Sequence, residues 1–170
     1  MRRALQVNPS VRRAAMNPGF TEYSEVVGKI LANLQSLEFS IRLYLHNTQD
    51  SDSVRLKRDI TSLTVGEEVP ENSLTDYSSM GPLIDRYNEC VASDLAVDRT
   101  LVDLRDALAH SRMFLPDIES APILLKFQKP ANGKTKVSFV QVSSSEWLER
   151  CIGRVHAEML KVQRSLGHAV

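Results

Sequence analysis

Two long stretches in which apolar residues recur every three or four positions constrain this chain more than any other feature. From Thr21 to about His46, Val27, Ile30, Leu34, Leu37, Ile41 and Leu45 fall on one face of a helix, while Glu22, Glu25, Lys29, Asn33, Gln35, Glu38 and Arg42 fall on the other. From Ser143–Ser145 onward the same spacing links Leu148, Cys151 or Ile152, Val155, Met159, Val162 and Leu166. Ser143 and Glu146 stand at the spacing of a capping box at its start. Stripes of this kind must be buried against other elements, so packed helices are the expected frame.

Between these two lie shorter elements. Pro82 suits the first turn of a helix carrying Leu83, Ile84, Tyr87 and Val91, and a further helix is expected from about Asp94 to Met113 on Val97, Leu101, Leu104 and Leu108. Pro116 stops it. The stretch from 47 to 79 is polar and broken by Gly66 and Pro70, with a short helix expected near Asp52–Leu63. Beyond Pro116 the period changes. Ile123–Phe127 and Lys136–Val142 are β-prone, and Asn132-Gly133 between them is a hairpin turn signal. An isolated hairpin is marginal without support, so the expected fold class is all-α: an up-and-down helical bundle with a β-hairpin inserted before the last helix. Residues 1–19, with four arginines and two Asn-Pro pairs, read as a mobile basic arm, and 20–168 as one domain.

Composition excludes little by itself. Formal net charge is zero over 170 residues, which gives no global argument for a polyanionic partner. No segment has the roughly 20 uninterrupted apolar residues that span a bilayer, and Arg12 and Arg13 interrupt any secretory core, so a cytoplasmic location without membrane partners is expected. Cys90 and Cys151, the two cysteines, are expected as buried, reduced thiols.

The chemistry concentrates in LRDALAHSR, residues 104–112. On an ideal helix Arg105 lies at the edge of the leucine stripe and His110 nearly opposite it, with the two diverging by about 140°. Val102, Asp106 and Ala109 fall between them, a small face suited to a second molecule, and a cleft shared around a twofold axis is one way for the two side chains to act together. Asp106 stands one turn before His110, where a carboxylate can orient an imidazole, and Arg112 stands seven residues beyond Arg105 as a second phosphate contact. A plain surface charge cluster, with Arg105 beside Asp98 or Asp106 and His110 meeting the last helix carbonyls, accounts for the same residues. His46, His156 and His168 lack metal-ligand spacing, so no metal site is expected.

The run LRDALAHSR resembles the signature of HEPN domains (higher eukaryotes and prokaryotes nucleotide-binding), in which an arginine followed by a polar residue precedes a histidine near a helix end. MGPLIDRYNE and the LEFSIRLYL run of the first helix resemble further parts of that family, over about Thr21 to Leu166. The resemblance implies a homodimeric, metal-independent endoribonuclease without cofactors, acting on RNA as the toxin of a toxin-antitoxin pair or in phage defence, with an antitoxin protein as a partner. It implies Arg105 and His110 as catalytic residues, Asp106 as support and Arg112 as a substrate contact. A non-catalytic bundle that dimerises and binds a partner protein or nucleotide is the alternative. A phosphotransfer bundle built on His110 is a third reading, weakened because the Lys and Gly expected just after such a histidine are missing.

Overall fold

The computed structural model describes residues 18–56, 59–117 and 120–168. The expected basic arm lies almost wholly outside these residues. Among the described residues four α-helices, α1 (Pro18–Gln49), α2 (Met80–Asn88), α3 (Leu101–His110) and α4 (Ser145–His168), accompany strands β1 (Arg112–Phe114), β2 (Ile123–Phe127) and β3 (Val137–Val142). The strands form one antiparallel sheet in the order β1-β2-β3. The fold is therefore mixed rather than all-α. The correction has one cause: residues expected to finish the third helix leave it and pair with β2, Arg112 opposite Leu125 and Phe114 opposite Ile123. A hairpin that is marginal alone becomes a three-stranded sheet.

The chain divides into two compact units. The first takes the described residues to Ala32 together with Asp103–Gly153, and so holds the sheet. Leu124 projects from the central strand to one side of the sheet and is buried, as are Ile30, Leu104, Ala107, Leu148 and Cys151 in this unit. The turn signal acts as expected: Asn132 (φ 51°) and Gly133 (φ 72°) both take left-handed backbone, the pattern of a two-residue hairpin turn. Ser143 continues the sheet through its N–H to the Pro122 carbonyl, so Ser144, not Ser143, caps α4, its Oγ accepting from the Trp147 N–H at 3.2 Å.

The second unit takes the described residues of 33–102 and 154–168. Leu34, Leu37, Ile41 and Leu45 of α1, Leu83, Ile84 and Tyr87 of α2, and Val155 and Val162 of α4 are among its buried apolar residues, with Tyr44 and Tyr87 in edge-to-face contact at 5.2 Å. Met159 of the expected stripe is only half-buried, whereas Glu158 beside it is buried, accepting from the Asp98 N–H and the Lys161 ammonium. The helix expected from Asp94 begins only at Leu101. Asn88 holds Val97 by accepting from its N–H and donating to its carbonyl, and Asp98 accepts from the Thr100 N–H, so this backbone is committed before a helix can form.

Arg42, expected on the solvent face of α1, is buried. Its guanidinium donates to Asp76 Oδ1 (2.6 Å), Glu38 Oε1 (3.0 Å) and the carbonyls of Ser73, Asp76 and Ser78. Asp76 also accepts from Arg86, and Asp50 accepts from His46 Nδ1 and from the N–H and Oγ of Ser73. Residues 72–78 are thereby tied to α1. The expected helix near 52–63 is reduced to one 3₁₀ turn, Ile60–Ser62. Cys151 is a buried thiol, but Cys90 lies exposed just past α2, where Gln49 donates to its sulfur.

Candidate functional site

Arg105 and His110 both lie on α3, His110 as its last residue, and both are exposed. Arg105 is more open than its place on the wheel suggests because Ala107 joins the buried stripe while Leu108 is only half-buried, which turns the core arc about 20° away from it. Its one ion pair among the described residues is with the neighbouring Asp106 at 3.4 Å, with both side chains substantially open to water. Such pairs contribute about 0–1 kcal/mol, so the guanidinium is free to exchange this partner for an anion. Asp98, a possible partner of Arg105, instead accepts from Thr100 and Arg154.

Asp106 does not orient His110. Its other oxygen lies 3.7 Å from the Lys126 ammonium, so the carboxylate turns toward the sheet and bridges two cations. Val102 is half-buried and Ala109 exposed, so the small strip of Val102, Asp106 and Ala109 is open in part. His110 has no hydrogen-bond partner among the described residues, and the bond to the final helix carbonyls expected of a purely structural histidine is not made. The helix end is closed by backbone instead, the Ser111 N–H donating to the Ala107 carbonyl. Ser111 Oγ, next to His110, is buried without a partner.

Arg112 falls in β1 rather than on the helical face shared with Arg105, and its guanidinium stacks on the Phe127 ring at 5.2 Å. The expected four-residue set thus separates into an exposed Arg105 and His110 on α3, an Asp106 turned to Lys126, and an Arg112 held on the sheet.

One signal was passed over in the sequence. Residues 120–145 contain four lysines, Lys126, Lys129, Lys134 and Lys136, and no carboxylate, an excess masked by the zero charge of the whole. Lys129, Lys134 and Lys136 are exposed at the hairpin end and form no ion pair among the described residues. A cavity of about 230 Å³ lies in the same unit between Phe20, Tyr23, Val26, Leu148 and Ile152, but neither Arg105 nor His110 lines it. Among the described residues no cluster of three or more His, Cys, Asp or Glu is placed to hold a metal, and no helix is long and apolar enough to cross a membrane.

No protein-family model, curated protein or solved structure matches the chain.

Proposed function

We propose that the protein is an endoribonuclease of the HEPN type, acting on RNA in a toxin-antitoxin or phage-defence setting, with Arg105 and His110 as its catalytic residues. The observation that carries this reading is the pair itself: an arginine and a histidine five positions apart at the end of one helix, both open to solvent, the histidine without a competing partner among the described residues. RNA supplies its own nucleophile. His110 takes the proton of the 2′-OH, the 2′-oxygen bonds to phosphorus, and the bond to the 5′-oxygen breaks, that oxygen leaving with a proton from solvent. Arg105 neutralises the charge that builds on the phosphoryl oxygens through its fork of donors. The products are a 2′,3′-cyclic phosphate and a 5′-hydroxyl, and neither a metal nor a cofactor enters the balance. The exposed Lys129, Lys134 and Lys136 of the hairpin support a polyanionic substrate.

Purified protein incubated with RNA is expected to yield cyclic phosphate ends, and His110→Ala and Arg105→Ala are each expected to lower the cleavage rate at least 100-fold, within the usual contribution of one acid-base or charge-stabilising group. Cleavage by His110→Ala at the wild-type rate would remove this reading.

A further inference from the structure

The sheet has one face that the first unit does not cover. Register places Arg112 and Phe114 of β1, Ile123, Leu125 and Phe127 of β2, and Val137, Val140 and Val142 of β3 on the same side, opposite buried Leu124. Seven of these eight are apolar. Phe114 is 55% exposed, Val137 55%, Val140 60% and Val142 50%, and Ile123, Leu125 and Phe127 of the central strand are each only half-buried. A polar outward face is the ordinary companion of a buried inward one in an antiparallel sheet, and this sheet lacks it. We propose that this face is a homodimer interface, covered by the same face of a second copy to form a six-stranded sandwich.

Two observations choose a second copy over an unlike partner. The face carries a single charge, Arg112, whose guanidinium already lies on Phe127, so no ionic group awaits an opposite one and the surface is complementary to itself. The open side chains offer roughly 500 Å² per copy, so a face-to-face pair removes about 1,000 Å² from water, the least a specific interface needs. Two sheets of identical twist also stack naturally, with strands inclined by about 30°.

This surface is not the strip on α3. Asp106 of α3 reaches Lys126, which shares its side of the sheet with Leu124, so α3 lies behind the proposed interface and each copy keeps its own Arg105 and His110 open. The inference stands whether or not the protein cleaves RNA.

The test is the mass of the 170-residue chain in solution, by sedimentation velocity across 1–100 μM. Wild type is expected as a dimer. Val140→Lys is expected as a monomer with the far-UV circular dichroism of wild type, because a residue already 60% exposed tolerates lysine in the free protomer. Val137→Lys, on the same face, serves if Val140→Lys fails to fold. Leu160→Lys on α4, an exposed apolar position off this face, is expected to remain dimeric. Hydrogen exchange should show concentration-dependent protection in 123–142. A monomeric wild type at 100 μM, a dimer that survives the folded valine variant, or protection confined to α3 would each overturn the proposal.

Discussion

At the scale of single residues, Arg42 and Arg105 show how differently one side chain type is used. Arg105 is held by one exposed neighbour. Arg42 is 9% exposed and engages two carboxylates and three carbonyls, which are the partners a buried guanidinium requires. Removing one member of such a set leaves uncompensated charge in a desolvated place, and Arg42→Ala is expected to lower unfolding stability by about 3 kcal/mol, toward the lower end of the usual range since Arg86 still serves Asp76. Urea titration against wild type measures it. A loss under 1 kcal/mol would mean that the network contributes little to stability. Nothing in the sequence marks Arg42 as buried: it sits among Glu25, Lys29 and Glu38 on the polar side of α1, and only the return of residues 72–78 encloses it. Arg105 and His110, in contrast, were legible because their spacing on one helix does not depend on any distant contact.

At the scale of elements, local signals held where geometry is local. Asn132-Gly133 specifies its turn through φ values that few other residues tolerate, and the hairpin forms around it. Gly133→Val keeps the position uncrowded yet forces a β-branched side chain into left-handed backbone, at a cost of about 1–2 kcal/mol. Thermal unfolding of this variant is expected to shift downward, and an unchanged midpoint would show that the turn is not strained by the substitution. The third helix failed as a local reading at both ends. Asn88 claims Val97 upstream, and β2 claims Arg112–Phe114 downstream. Both claims come from residues nine or more positions away, beyond the reach of periodicity. The same exchange moved Arg112 from a helical face to a strand and changed its neighbour from Arg105 to Phe127.

At the scale of the whole molecule, neutrality conceals an uneven distribution of charge. The hairpin concentrates exposed lysines, whereas Asp50, Asp76 and Asp98, all in the second unit, are held below the usual carboxylate range. For Asp50 and Asp76 burial pushes the other way but is outweighed by hydrogen bonds, from Ser73 and His46 to the first and from Arg42, Ser78 and Arg86 to the second; for Asp98 the bonds from Thr100 dominate. Depressed folded values mean that the unfolded chain takes up protons first. The associated stability is complete above the unfolded value of about 3.9 and is lost as pH falls through the lower folded values. Urea midpoints at constant ionic strength are therefore expected to show a fall in this contribution below about pH 4. A contribution that persisted unchanged to pH 2.5 would refute this assignment. What the sequence alone determined was whatever depends on neighbours within a few turns: the long helical stripes, the hairpin turn, and the placing of an arginine and a histidine on one helix. The third strand, the burial of Arg42, the turning of Asp106 to Lys126 and the uncovered sheet face were decided only in three dimensions. Each depends on which distant backbone satisfies a hydrogen-bonding group or covers an apolar one, and a linear pattern does not encode that choice locally.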